Sequence, residues 1–115
     1  MLKNSLRSVW RNPRILHLFL DGTGTAAISG ADAALFTLTD NGDGDWSLTA
    51  ATAFAEPPFV SVVSMTADVV AFQVAPTTTV INIKAMSVNN TPAATDGDFY
   101  VTIYGAQLLS VSAEV

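Results

Sequence analysis

The run Phe99-Tyr100-Val101-Thr102-Ile103-Tyr104 alternates its side chains strictly. In an extended chain Phe99, Val101 and Ile103 share one face, and Tyr100, Thr102 and Tyr104 share the other. At 3.6 residues per turn the same residues would wrap the whole helix surface and leave no polar side. The pattern therefore demands a strand. It recurs upstream, where Ile81 and Ile83 oppose Val80, Asn82 and Lys84, and where Phe72 and Val74 oppose Ala71 and Gln73. Short apolar runs with Gly or Pro breaks and abundant Thr and Val continue this punctuation from residue 15 onward. Strands are predicted at 14–20, 33–40, 45–51, 58–66, 69–75, 79–86 and 98–105. The Ala-rich stretches 25–34 and 50–55 read as loops. Such spacing predicts an all-β fold, an antiparallel β-sandwich of jelly-roll-like type with about six to eight short strands around one core.

Charge is scarce and unevenly placed. Only 13% of the 115 residues are charged against 50% hydrophobic, where soluble domains average about 25% charged. Lys3, Arg7, Arg11 and Arg14 are four of the five cations, and no acid precedes Asp21. Residues 1–14 thus carry +4, whereas 15–115 carry −9, one lysine against ten acids. The division predicts a basic N-terminal docking arm, 1–14, and a β-sandwich body, 15–115. Steps of 4, 4 and 3 place the four cations on one helical stripe, with Leu2, Leu6, Val9 and Trp10 supplying apolar anchors. Pro13 limits any helix, so the arm is expected to be extended or short-helical and to order when docked on another protein. An acidic body repels nucleic acid, and the apolar face of the arm is small for a membrane. Neither is expected as a partner.

Several chemistries drop out. There is no Cys, which removes disulfides, thiolate zinc sites and cysteine nucleophiles. His17 is the lone histidine and cannot build a multi-histidine metal site by itself. No stretch reaches the ~18 apolar residues of a membrane span. Ile15 to Leu20, interrupted by His17, falls short of a secretory core of about 7–15 residues. The turn Asp40-Asn41-Gly42-Asp43-Gly44-Asp45 fails as a calcium loop, because Trp46 takes the glycine position and Thr52 the last one. It reads as a hairpin turn. Asp96 and Asp98, with Asp43 or Asp45, are spaced as solvated turn acids rather than a tuned pair. Ser110 and Ser112 have no base nearby, and Gly22-Thr23-Gly24 is too short to cradle a phosphate. No enzyme activity, cofactor or metal is expected.

Glu56-Pro57-Pro58 precedes a nearly continuous apolar run from Phe59 to Met65. Two prolines place the strand start at an edge or a corner. The run itself suggests burial on both faces, either with one face against the core and the other against a neighbouring subunit, or as a central strand of an unusually tight sandwich.

Two family resemblances emerge from these residues. Phe54-x-x-Pro57-Pro58-x-Val60, Val74, Thr79-x-Ile81-x-Ile83 and Asp98-Phe99-Tyr100-Val101-x-Ile103-x-Gly105 together resemble the six-stranded sandwich of H-type lectin-like domains, which assemble as trimers. The fuller run looks like small virion proteins of tailed phages, such as head-decoration or cement proteins. It comprises Leu38-Thr39-Asp40, Gly42-x-Gly44-x-Trp46-x-Leu48, Phe54-Ala55-x-x-Pro58 and Asp96-x-Asp98-Phe99-x-Val101-x-Ile103-x-Gly105. The likeness spans residues 35–105. It implies a homotrimer on the outer surface of a virion, made in the host cytoplasm, that docks on a major capsid protein or other virion protein and stabilises the shell. The alternative is a tail-fibre-type receptor- or carbohydrate-binding module, with Trp46, Tyr100 and Tyr104 as candidate ligand-stacking aromatics. No set of lectin sugar-pocket residues aligns here.

Overall fold

The computed structural model describes residues 11–89 and 91–108. Eight strands lie within them: β1 (Arg11–Asp21), β2 (Ala27–Ser29), β3 (Phe36–Gly42), β4 (Asp45–Ala50), β5 (Phe59–Ser64), β6 (Val69–Val74), β7 (Val80–Ser87) and β8 (Asp98–Leu108). They form two four-stranded sheets, ordered β2-β1-β8-β5 (sheet A) and β3-β4-β7-β6 (sheet B), and every pairing is antiparallel. The sheets stack as a sandwich. β5 and β6 contact each other along one side, and β2 and β3 approach a common 3₁₀ turn, Ala33–Leu35, along the other.

Alternation fixes which side chains meet between the layers. Leu16, Leu18 and Leu20 of β1, Phe99, Val101 and Ile103 of β8, and Val60 of β5 point inward from sheet A. Trp46 and Leu48 of β4, Ile81, Ile83 and Ala85 of β7, and Phe36 and Val69 answer from sheet B. Burying each large aliphatic or aromatic chain contributes about 1.5–3 kcal/mol, so this interior is the main source of stability. The Trp46 and Phe99 rings, 5.5 Å apart and tilted by 58°, join the two layers.

The strand positions match those read from the sequence, with four differences. β1 begins at Arg11, so Arg11–Arg14 belong to sheet A and not to an arm. The hydrogen-bond phase explains why Pro13 is tolerated there. The Met65 N–H donates to the Asp98 carbonyl at 2.7 Å, which with the strand registers turns β8 residues 99, 101, 103 and 105 toward β1. Their partners are Leu20, Leu18, Leu16 and Arg14. Pro13 therefore lacks its N–H on the side facing away from β8, where an edge strand can accept it. The loop read at 25–34 contains the short strand β2, and residues 33–35 are a 3₁₀ turn rather than the start of β3. β8 extends beyond residue 105 to Leu108 and, like β1, has eleven residues, so these two are not short.

Between β3 and β4 the Asp-Gly-rich segment forms a hairpin with a register shift between Asp40 and Gly42. The Gly42 N–H donates to Asp40 Oδ1 at 3.0 Å, and the Gly44 N–H donates to Asp96 Oδ1 at 2.8 Å. Gly44 has φ 63°, and a side chain there would run into the Ala85 carbonyl and the Thr95 amide. Glycine is needed at that position for both reasons.

Candidate functional site

β5 is an edge strand whose run of apolar residues is covered on one face only. Val60 is buried, whereas Phe59 and Val63 are exposed. Burial of both faces within the chain, one sense of the sequence reading, is thus corrected. In a two-layer sandwich each strand turns only one face to the core, and among the described residues nothing covers the other face of β5.

The outward face of sheet A is ordered in three rows across β1, β8 and β5. Strand registers align Ile15, Tyr104 and Phe59 in the first row, His17, Thr102 and Ser61 in the second, and Phe19, Tyr100 and Val63 in the third. The outer rows are apolar. Phe59 is 67% exposed, Ile15 59%, Val63 56%, Tyr100 52% and Tyr104 43%. Aromatic contacts pin both rows: Phe59 against Tyr104 with ring centres 5.6 Å apart, and Phe19 edge-on to Tyr100 at 5.4 Å. The polar row between them is tied by a 3.4 Å contact between Thr102 Oγ1 and His17 Nδ1. No Asp, Glu, Lys or Arg stands in any of the nine positions. A contiguous apolar surface rimmed by polar groups is the signature of a contact site rather than of scattered surface residues.

Charge lies at the margins of this face. At one margin Asp32 Oδ2 accepts the His17 backbone N–H at 2.8 Å, closing the edge of β1 beyond the end of β2. At the far end of the sheet, Asp21 and Asp98 stand opposite each other across β1 and β8. Thr23 holds the Asp21 carboxyl below the ordinary aspartate value, through its hydroxyl and its backbone N–H. Loss of solvent pushes Asp98 upward, reinforced by its hydrogen bond to Asp21 and by the Asp21 charge. Asp98 Oδ1 is buried and has no hydrogen-bond partner among the described residues. The pair takes up a proton at Asp98 first.

The residues singled out in the sequence fall into distinct places. Tyr100 and Tyr104 lie on the outward face of sheet A, on either side of Thr102 and separated by four residues of strand, about 13 Å. Trp46 does not join them. It is fully buried between the sheets, so its ring is a core element and offers no face to a ligand. Tryptophan beside a polar turn resembles a surface platform in sequence, but here its strand parity points inward. Leu2, Lys3, Leu6, Arg7, Val9 and Trp10 lie outside the described residues, as does the side chain of Arg11. Arg14 is half-buried in β1, opposite Gly105. Ile15, Phe19, Phe59 and Val63 complete the face; the sequence marks Phe59 and Val63 only as part of the apolar Phe59–Met65 run and does not mark Ile15 and Phe19 as surface residues. Their alternation was visible, but the register that aligns three strands was not.

Sheet B carries a second, smaller apolar area at β6 and β7, where Val70, Phe72, Met86 and Val88 are exposed. It borders a shallow depression of about 250 Å³ next to the hairpin, lined by Asp43, Asp45, Phe72, Lys84 and Met86. The Lys84 ammonium bonds Asp45 across it at 3.1 Å, an exposed pair of the kind that contributes about 0–1 kcal/mol. Among the described residues no three His, Cys, Asp or Glu side chains converge as a metal site. No protein-family model, no curated protein and no solved structure matches the chain.

Proposed function

We propose that this chain is a non-enzymatic structural subunit of a larger particle, a trimeric decoration or cement protein. Its sandwich bodies pack on one another, and its basic N-terminal segment grips the shell. The observation that carries the reading is the uncharged three-row face of sheet A, with two aromatic-bearing apolar rows open to solvent. Large exposed apolar area is unfavourable for a free monomer and typical of subunit contacts. Lys3 and Arg7, the cations that precede β1, supply the partner side. Three linked copies bind a repeating shell by avidity, so each contact can be weak. Binding only the assembled shell stabilises it by mass action. Likeness to small virion proteins of tailed phages in residues 35–105 supports the particle assignment.

Light scattering coupled to size exclusion tests it on the full chain and on a chain lacking residues 1–10. The shorter deletion respects β1, which begins at Arg11. Both forms are expected to have the mass of three chains or of a multiple of three, and only the full chain should cosediment with tailed-phage capsids stripped of their decoration protein. A full chain that remains a monomer at high concentration overturns the reading.

The second reading, a receptor- or carbohydrate-binding module, is favoured by one feature. Tyr100 and Tyr104 flank the hydrogen-bonding row of His17, Thr102 and Ser61, and rings beside polar groups suit a sugar. Glycan-array binding that is lost in Tyr104→Ala would favour it.

A further inference from the structure

The two sides of the sandwich treat their edges differently. On the β2 and β3 side, β2 has only three residues. The exposed part of β1 has its His17 N–H capped by Asp32. β3 carries Asp40 and a register shift. Short strands, bulges, charges and covering loops are how proteins protect an edge from pairing with other chains. On the opposite side β5 shows none of these among the described residues. It is six residues long, unshifted in register and without charge: Phe59-Val60-Ser61-Val62-Val63-Ser64. Pro57 and Pro58 guard only its start. β6, Val69–Val74, lies beside it at the edge of sheet B and is equally uncharged. In the hydrogen-bond phase set by Met65 and Asp98, residues 59, 61 and 63 bond β8. Val60, Val62 and Ser64 then direct their N–H and C=O groups outward, and among the described residues no backbone group bonds them there.

We infer that β5 is an interaction edge on which β5 of a second copy docks antiparallel, about a two-fold axis at Ser61. The inference goes beyond the proposed trimer, because it adds a different contact between copies, made by strand pairing rather than face packing.

Three properties of the sequence select this occupant and this register. Directly opposed residues on antiparallel strands point to the same face, so a two-fold pairing must place inward residues on inward ones. With the axis at Ser61, Val60 opposes Val62 of the second copy and the two exchange backbone hydrogen bonds. On the outward face Phe59 opposes Val63, and Ser61 opposes Ser61. The row Ile15, Tyr104, Phe59 then runs straight into Val63, Tyr100, Phe19 of the second copy, and the polar row runs into its own counterpart. An axis at Val62 would set Ser61 against Val63 and break the polar row. Charge agrees with the choice. Residues 15–115 carry a net −9, so two copies repel over most of their surface, and the neutral β5 strip is where they can approach. The isologous contact closes on itself and leaves no open edge there for further growth.

Single-cysteine cross-linking of the full chain tests this, because the protein has no native Cys. In Ser61→Cys the two thiols meet at a non-hydrogen-bonded pair, with Cα atoms about 4.5 Å apart, within disulfide range. Under mild oxidation it should form a covalent dimer about tenfold or more faster than Thr49→Cys, since pairing raises the effective thiol concentration. Thr49 is an exposed position on the other sheet. A parallel measurement guards against a misfolded variant. In the unmodified chain the amides of Val60, Val62 and Ser64 should become protected from hydrogen exchange as concentration rises, and Ser61→Lys should abolish that protection by opposing like charges. Equal cross-linking of the two cysteine variants, or edge amides indifferent to concentration, overturns the inference. A trimer without Ser61 cross-links would retain the proposed function and sink this contact. A cross-linked dimer that never reaches three chains would do the reverse.

Discussion

Replacing Tyr100 by Ser separates the stability of the sandwich from the assembly of its outer face. Tyr100 is 52% exposed at the centre of the third row. Aromatic side chains bring roughly 150–250 Å² into a contact, so about 100 Å² of this one remains for a neighbouring subunit to cover. At about 25 cal/mol per Å² that area is worth roughly 2.5 kcal/mol. With ~1.4 kcal/mol per decade, the substitution should raise the dissociation constant of the oligomer roughly 60-fold. The other half of the ring already packs within the chain, edge-on to Phe19 at 5.4 Å. Its loss should lower unfolding free energy by about 1–2 kcal/mol, less than removal of a fully buried core residue. Sedimentation velocity across a concentration series measures the first quantity and urea denaturation of the dissociated chain the second. An association constant within about threefold of the parent, near 0.7 kcal/mol, would mean that the face is not what copies bury.

Two further substitutions probe the fold that holds this face. Gly44→Ala and Gly24→Ala both place an L side chain at φ 63°, but Gly24 has nothing within 4 Å, whereas Gly44 meets backbone atoms of Ala85 and Thr95. Urea denaturation should show a cost of about 1–2 kcal/mol for Gly24→Ala and a clearly larger one for Gly44→Ala; equal costs would refute the close-approach argument. Asp98→Asn should stabilise the protein at neutral pH, because loss of solvent and the Asp21 charge make an ionised Asp98 unfavourable. A carboxyl whose folded pKa is raised favours the folded state increasingly as pH falls through that value. The advantage of Asp98→Asn should therefore shrink on acidification, while the contribution of Asp21, whose pKa is lowered by Thr23, is lost as pH falls below the ordinary aspartate range. Chemical denaturation from pH 7 to pH 3 checks both signs, and a gap that widens on acidification contradicts the assignment.

Alternation is a local property, and what depends on it alone was legible. The inward set Phe99, Val101, Ile103 and the outward set Tyr100, Thr102, Tyr104 stand as the sequence predicts, as do Ile81 and Ile83 against Asn82 and Lys84. Seven of the eight strands follow from such patterns. β2 did not, since Ala27-Ile28-Ser29 has too few residues for a period to register; it exists because β1 offers it a partner. Trp46 shows the opposite limit. Its chemistry suggests a stacking platform, but the Trp46-Leu48-Ala50 parity, fixed by pairing with Ile83 and Ile81, turns it inward. The three-row face needed the register of β1, β8 and β5, which joins residues over 80 positions apart and leaves no trace in any short window. Pro13 was read as the limit of a helix, yet it sits in a strand because its missing N–H faces away from β8.

The pairing of β1 with β8 has a consequence for how the chain reaches this state. Sheet B is assembled wholly from residues 36–87, by hairpins and one pairing of neighbouring hairpins. Sheet A cannot form its centre until Arg11 finds Leu108 and Asp21 finds Asp98. Contacts this distant in sequence cost loop-closure entropy before they return any stability, and they slow folding. On the ribosome β1 must therefore wait, with Leu16, Leu18 and Leu20 uncovered, until β8 has been made. Sheet B is positioned to fold first and to act as the template on which the ends of the chain are brought together. Refolding in vitro should be correspondingly slow, with sheet A as its late step.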